Sequence, residues 1–496
     1  MAKLLSKSNY IKGLQCPKLL WIAVNNKTRI PEHDETTLHK FRVGNIVGVL
    51  ATKLYPKGID LSNQEFVENI ENTREALEQR KPIFEAGFYP DNLFSRADIL
   101  VPVGKNQWDI VEVKSSTEVK DVNIHDVSFQ KYVYEKEGLN IRKCFIMHIN
   151  NQYIKKGAIE PKELFVQTDI TEKVEEFSIG IEERINNMIK IISSKKEPTC
   201  SIGIYCSDPY ECDLKEECWT QIPEGSVFEF YRMLKKKCFE LYSKGITQIK
   251  DTPENIKLND KQAIQRRLAC DKGTHINKKE IKNFLNNLVY PIYYLDFETI
   301  NPAIPKFDGM KPYQKIPFQF SLHIQEKPNP TTNKPKHISF LADGTSDPRP
   351  KLLQSLKDNL KDKGTILVYN QSFEKSVLTE CSNAFPEFKE WNNKNILPRI
   401  KDLLDVFKNF NYYNPQQKGS ASIKAVLPTL SNLKYDNLDI KKGDIASLEW
   451  ERVIFGFDGE KVSKAEKDNV MKALEKYCEL DTLAEVEIVG ALGKLD

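Results

Sequence analysis

The sequence predicts an α/β protein built as two α/β units in series, with a helical, basic connector between them. Three patterns carry this expectation. Over residues 84–113 short apolar runs are broken by Tyr89-Pro90-Asp91-Asn92 and by Gly104-Lys105-Asn106. A helical pattern follows at about 126–136, then a strand, CFIMHI, at 144–149. Strand, helix and strand at this spacing make an α/β unit with parallel strands. After Leu288 come four short apolar segments, YPIYYLDFETI, PFQFSLHI, HISFLAD and GTILVYN, with a helix predicted at 350–362 before the fourth and helices after it. Between these regions, residues 227–286 read as helical and basic, with breaks at Gly245 and Pro253. The expected boundaries are therefore 1–225, 226–286 and 287–496.

The size of the chain agrees with that division. At roughly 150 residues per domain, 496 residues make about three domains, or two larger ones with a connector. Hydrophobic content is 40%, charged content 29% and mean hydropathy −0.50, and no apolar run reaches the ~18 residues of a membrane span. No membrane association is expected. At the N-terminus, MAKLLSKSNYIKGLQCPKLLW interrupts its leucines with Lys7, Asn9 and Lys12, so it lacks the continuous apolar core of a secretory signal. The expected compartment is the cytoplasm, where the ten cysteines would not form disulfides. Cys144, Cys238, Cys270, Cys381 and Cys478 read as small buried apolar residues. A net charge of +3, from 73 basic and 70 acidic residues, neither requires nor excludes nucleic acid. Basic runs at 232–237 (RMLKKK), at Arg266 and Arg267, and at Lys278 and Lys279 suit either a positive binding face or a solvated helix face.

The segment WDIVEVK, residues 108–114, holds the first constellation. Strand alternation puts Glu112 and Lys114 on one face and Val111 and Val113 on the other. Asp98 ends the SRAD segment one hairpin earlier, and antiparallel pairing across Gly104 would bring it beside Glu112. Two carboxylates can hold a divalent cation, while a nearby lysine orients or helps deprotonate water and neutralises a scissile phosphate. Gln130 and Tyr134 lie four apart, on one helix face.

This pattern resembles the PD-(D/E)XK nuclease superfamily, and Gln130-Lys-Tyr-Val-Tyr134 resembles the Q-x3-Y helix of its RecB-type branch. The resemblance implies a restriction-endonuclease-like domain with catalytic Asp98, Glu112, Lys114, Gln130 and Tyr134, and with Asp98 and Glu112 as metal ligands. Glu85, one strand earlier, is a secondary candidate for the same cleft. Where the branch often has a metal-binding histidine after an early glycine, Gly44 is followed by Asn45, leaving His39 as a substitute.

Cys206, Cys212 and Cys218 form a C-x5-C-x5-C run in YCSDPYECDLKEECW, wider than the C-x2-C of typical zinc ribbons. The run is similar to the late cysteines of CRISPR-associated RecB-like exonucleases and AddB-type subunits, which bind an iron-sulfur cluster through one early and three late cysteines. That resemblance implies a [4Fe-4S] cluster on Cys16, Cys206, Cys212 and Cys218, with zinc as the alternative and Cys200 as a spare ligand. Joining position 16 to 206–218 would staple the two ends of the first domain.

The second constellation opens in YYLDFETI, where an apolar strand ends in Asp296-x-Glu298, both on one face. LVYNQSFEKSVL then carries Glu374, and Tyr477-Cys-Glu-Leu-Asp481 is a Y-x3-D on one helix face. In order and placement these segments resemble the DnaQ-like DEDD 3′ to 5′ exonucleases, of ribonuclease-H-like fold. The family usually shows N-x2-F-D where this chain has Glu374, a residue longer by one methylene. The resemblance implies that Asp296, Glu298, Glu374 and Asp481 hold two divalent ions, Mg2+ or Mn2+, and that Tyr477 positions the attacking water. Asp402 and Asp405 are nearby alternatives to Glu374, although an aspartate on a strand and turn commonly has a structural role.

The whole layout resembles an uncharacterised prokaryotic family that fuses two such nucleases, and KGSASIKAVLPTL, residues 418–430, resembles part of its C-terminal domain. The expected function is a metal-dependent hydrolase of nucleic-acid phosphodiesters, DNA ahead of RNA, with connector lysines and arginines holding the backbone. No G-x4-G-K-[ST] loop is present, so unwinding would need a partner such as a helicase or another repair or defence protein. The competing expectation is a nucleic-acid-binding scaffold in which one or both folds have lost catalysis.

Overall fold

A computed structural model describes residues 3–271, 273–328, 335–435, 438–457 and 461–495. The protein is a mixed α/β chain of two compact units, Met1–Gln221 with Ala303–Tyr313, and Ile222–Pro302 with Gln314–Asp496.

The first unit opens with β1 (Leu5–Ser6), α1 (Lys7–Gln15) and α2 (Pro17–Asn25), continues through α3 (Glu35–Thr52) and β2 (Ile59–Asp60), and reaches α4 (Phe66–Glu78). Next come β3 (Ile83–Phe88), β4 (Leu93–Val103), β5 (Gln107–Lys114), α5 (Asp121–Lys136) and β6 (Asn140–Ile149). After α6 (Pro161–Leu164), β7 (Phe165–Asp169), α7 (Thr171–Ser178) and α8 (Ile181–Ser193), the short helix α9 (Lys215–Cys218) falls in the cysteine run. The seven strands form one sheet in the order β2-β3-β4-β5-β6-β7, with β1 pairing alongside the start of β4. β5 and β6 are parallel and are joined through α5, as expected of a strand-helix-strand unit. α7 and α8 are separate helices because Gly180 adopts a left-handed conformation (φ +72°) between them. α8 then buries Ile181, Ile185, Met188 and Ile192, a spacing of four, three and four that keeps one helix face inward.

In the second unit α10 (Lys235–Ser243), α11 (Asp260–Asp271), β8 (His275–Ile276) and α12 (Lys278–Asn286) precede the sheet strands β9 (Ile292–Ile300), β10 (Ile316–Gln325) and β11 (Lys336–Leu341). α13 (Arg349–Asn359) leads to β12 (Thr365–Val368), and α14 (Gln371–Ala384) and α15 (Lys389–Trp391) lead to β13 (Ile400–Asp402). α16 (Leu404–Lys408), β14 (Tyr412–Tyr413), α17 (Ile423–Val426), α18 (Gly443–Phe455) and the 29-residue α19 (Lys464–Leu492) complete it. The sheet order is β11-β10-β9-β12-β13, antiparallel across β11-β10-β9 and parallel across β9-β12-β13. Residues 329–334, in the chain between β10 and β11, lie outside the described residues.

The unit boundaries differ from the predicted ones in two ways. Residues of the predicted connector fold with the C-terminal unit, because β8 pairs with β14 and Leu268 joins Tyr231, Phe410 and Tyr413 in one apolar cluster. Residues 303–313, predicted to belong with the C-terminal domain, fold with the first unit. There Ala303 joins the core around Val111 and Phe165, and Lys155 exchanges backbone hydrogen bonds with Met310 and Gly309.

Candidate functional sites

Strand pairing places three acidic residues of the first unit in one row. Phe84 pairs with Ile99 and Ala86 with Ala97, so Glu85 falls opposite Asp98, while Ile99 pairs with Val111, so Asp98 falls beside Glu112. Asp98 Oδ2 accepts the Val113 N–H at 2.7 Å. Glu85 has φ +57° in the middle of a strand, a left-handed conformation that is costly for a residue with a side chain and that recurs at functional positions.

Glu112 is buried, with relative exposure of 1%. Its Oε1 accepts from Lys114 Nζ at 2.7 Å and from Lys7 Nζ at 3.0 Å, and its Oε2 accepts from Gln130 Nε2 at 2.6 Å. Tyr134 does not reach the carboxylates. Its hydroxyl donates to Gln130 Oε1 at 3.1 Å and so orients the glutamine. Lys114 also donates to Asp126 Oδ2 at 2.8 Å. Burial pushes the Asp98 carboxyl up to about 7, with the Glu112 charge adding to the rise. Glu112 moves the other way: burial disfavours its charge, but Lys114 and Lys7 outweigh it and hold the group well below the carboxylate range. A cation bound by Asp98 and Glu112 would therefore compete with two ammonium groups for Glu112 Oε1. Helix α3, which carries His39 and Asn45, packs Val47 and Ala51 against Val111 and Ile99, side chains on the sheet face opposite Glu112.

Cys16, Cys200, Cys206, Cys212 and Cys218 line one small cavity, so the spare cysteine sits with the other four. Cys16 is the N-cap residue of α2, at the positive end of that helix, a position that favours a thiolate. Burial, with Cys200 adding, nevertheless pushes the Cys16 thiol up to about 11, so a cluster or metal would have to displace protons. Five thiols around one cavity are a donor set that fits an iron-sulfur cluster or zinc. Polar contacts join the same segments. Arg29 donates to Glu197 at 2.6 Å and to Glu217 at 2.5 Å, Trp21 Nε1 to Ser194 O at 2.9 Å, and Gln15 to Tyr205 O at 2.8 Å.

In the second unit, β9 and α19 bring Asp296, Glu298 and Asp481 together, with one carboxylate oxygen from each within 4.8 Å of the others. Glu298 and Asp481 are 8% and 9% exposed. Burial raises Asp296 and Glu298 far above the carboxylate range, with Asp481 adding to the first and Asp296 to the second. Asp481 rises to about 6 through burial, held there by hydrogen bonds from Tyr435 and Tyr477. Acids that mutually resist ionisation in this way suit a divalent cation with oxygen ligands. Glu374, on α14, is buried with no hydrogen-bond partner for Oε2, and burial followed by the Asp296 charge pushes it up to about 9. Asp402 has a structural task, since its Oδ1 accepts the N–H groups of Asn370 and Leu404 at 2.9 and 3.0 Å. Asp405 pairs with Lys408.

Several residues at these centres were not anticipated. Lys7 and Asp126 complete the first. At the second, Lys424 Nζ donates to the Tyr477 hydroxyl at 3.1 Å and lies 5.1 Å above its ring, and the Tyr435 hydroxyl donates to Asp481 Oδ1 at 2.6 Å. Glu485 is buried on α19 one turn after Asp481, and burial and the Asp296 charge raise its carboxyl. Two of these were legible as helical spacing, since 126-130-134 and 477-481-485 are rows of four.

Residues 293–422 match the domain of unknown function DUF2779. The DUF2779 match begins in β9 and takes in Asp296, Glu298 and Glu374. The chain is also 31% identical over 234 residues to the uncharacterised protein MG366 of Mycoplasma genitalium, which is 44% of this chain and 34% of that protein. It is 25% identical over 322 residues to the MG366 homologue of Mycoplasma pneumoniae, 61% of this chain and 46% of that protein. A third relative, UU173 of Ureaplasma parvum, is 26% identical over 224 residues. The chain thus spans less than half the length of the relatives it matches. Among the described residues, no helix is long and apolar enough to cross a membrane.

Proposed function

We propose that this protein is a divalent-metal-dependent nuclease with two hydrolytic centres, acting on DNA ahead of RNA. The first unit would be a RecB-like PD-(D/E)XK nuclease carrying a [4Fe-4S] cluster, and the second a DnaQ-like, ribonuclease-H-like DEDD exonuclease working 3′ to 5′. The observation that carries this reading is the Asp296, Glu298 and Asp481 triad, one carboxylate oxygen from each lying within 4.8 Å of the others.

At the second centre Asp296, Glu298 and Asp481 would hold Mg2+ or Mn2+, with Glu374 and Glu485 behind them. Bound ions there supply water activation and charge neutralisation at the leaving oxygen. Tyr477, with Lys424 on its hydroxyl, would orient water or a phosphate oxygen at the mouth of the site. At the first centre Asp98 and Glu112 would be the metal ligands, Gln130 would fix the Glu112 carboxylate, and Lys114 would face the scissile phosphate. The cluster, when bound by Cys16, Cys206, Cys212 and Cys218, supplies a covalent link between the ends of the first unit.

The test is hydrolysis of end-labelled and end-blocked single- and double-stranded DNA and RNA under Mg2+ or Mn2+. Lys114→Ala and Asp296→Ala should remove distinct activities, and the double variant should be inert. Wild-type protein that binds these substrates without metal-dependent turnover would instead support the scaffold reading, which draws on Glu374 in place of the usual aspartate and on Asn45 in place of the usual histidine.

A further inference from the structure

The face of the second unit's sheet that lies under α19 holds a polar layer beyond the carboxylate triad. His323 on β10 and His337 on β11 are direct cross-strand partners, with ring centroids 4.6 Å apart. Glu479, on α19, completes a group whose potential ligating atoms all lie within 4.8 Å of one another. His323 is 4% exposed, whereas His337 and Glu479 reach solvent.

The hydrogen bonds around the rings decide which nitrogens are available. Thr482 Oγ1 faces the Glu479 carbonyl at 3.2 Å, and a carbonyl only accepts, so the Thr482 hydroxyl hydrogen is directed there. Thr482 Oγ1 must then accept from its two other neighbours, His323 Nδ1 at 2.8 Å and Ser321 Oγ at 2.6 Å. With the Ser321 hydrogen given to Thr482, Ser321 Oγ accepts from His337 Nε2 at 2.9 Å. Each hydroxyl hydrogen has one acceptor, and each ring commits one nitrogen as a donor. Nε2 of His323 and Nδ1 of His337 are the nitrogens left to ligate. His337 Nδ1 stands 3.7 Å from Glu479 Oε1, too far for a hydrogen bond and close to the roughly 3.4 Å edge of a tetrahedron built on bonds of about 2.0–2.1 Å.

We propose that His323 Nε2, His337 Nδ1 and the Glu479 carboxylate bind one divalent cation of the imidazole-preferring class, with Zn2+ the ion of choice. Two imidazoles and one carboxylate, each imidazole oriented through its other nitrogen, are a donor set suited to zinc and poorly suited to Mg2+. The bound ion ties β10 and β11 to α19, the helix that presents Tyr477 and Asp481. Ser321, the cross-strand partner of Asp296, lies between this site and the triad.

The experiment uses full-length protein, stripped with a chelator and titrated with Zn2+ alone, with zinc and iron per chain and binding affinity as readouts. Wild type should hold one more Zn2+ per chain than His323→Gln or His337→Gln, with iron content equal in all three. Thr482→Val should keep that stoichiometry with affinity weakened by about 10- to 100-fold. Asp296→Asn should retain the ion, and zinc that disappears in that variant belongs to the triad and overturns the proposal. Equal zinc content and affinity in wild type and His337→Gln, the latter altered at a partly exposed position and checked for folding by circular dichroism, also overturns it. None of these readouts requires nuclease activity.

Discussion

Gln130 Nε2 donates to Glu112 Oε2 at 2.6 Å, and both residues are buried. Removing the donor leaves a buried carboxylate oxygen unpaired, at a cost of about 1–3 kcal/mol. Gln130→Leu should lower the melting temperature by about 2–12 °C, since 1 kcal/mol shifts a unit of this size by roughly 2–4 °C. It should also impair the first centre more than the second. A variant as stable as wild type would show that Glu112 gains nothing from Gln130.

The Tyr435 hydroxyl lowers the proton affinity of Asp481 by donating to Oδ1 at 2.6 Å. Tyr435→Phe should therefore raise the Asp481 carboxyl above its present value of about 6. A protonated acid does not ligate, so the Mn2+ needed for half-maximal activity should increase by about 10- to 100-fold, as for other outer contacts to metal ligands. The increase should be steepest below neutral pH. An unchanged Mn2+ dependence across pH 6 to 8 would remove Tyr435 from the site.

Glu374 links pH to stability. Its folded-state value of about 9 exceeds the ordinary 4.5, so the folded state holds this proton more tightly than the unfolded chain. The stabilisation is complete below pH 4.5 and is lost as pH rises toward 9. Metal-free protein should melt at progressively lower temperature between pH 5 and pH 9. Glu374→Gln, which stays neutral, should flatten that slope, and an unaltered slope would place the titration elsewhere.

Cysteine variants separate the four assigned ligands from the fifth thiol in the cavity. Serine at position 16, 206, 212 or 218 should abolish bound iron, and Cys200→Ser should retain it, measured as iron and acid-labile sulfide in protein purified without oxygen. Zinc without iron in the wild type would establish the zinc alternative. Iron lost from Cys200→Ser but kept in Cys16→Ser would exchange their roles.

Much of the site chemistry was legible because it is local. Asp296 and Glu298, or Glu112 and Lys114, share a face through strand alternation alone, and Gln130 and Tyr134 share one through helical spacing. Asp126 and Glu485 follow the same arithmetic, although a buried acid in a helical row reads equally well as a solvated one until its surroundings are known. Lys424 falls within the distinctive 418–430 segment, but its partner Tyr477 lies 53 positions later.

What the sequence determined by itself is the alternation of strands and helices, the residue types of the acidic and cysteine constellations, and their order, because these depend on contacts among neighbours. Only the tertiary structure decided that Lys7 reaches Glu112 across 105 positions, that residues 303–313 belong to the first unit, and that His323 and His337 face Glu479. Each of these joins distant segments through strand register or helix docking. No local periodicity encodes which buried charge will meet which.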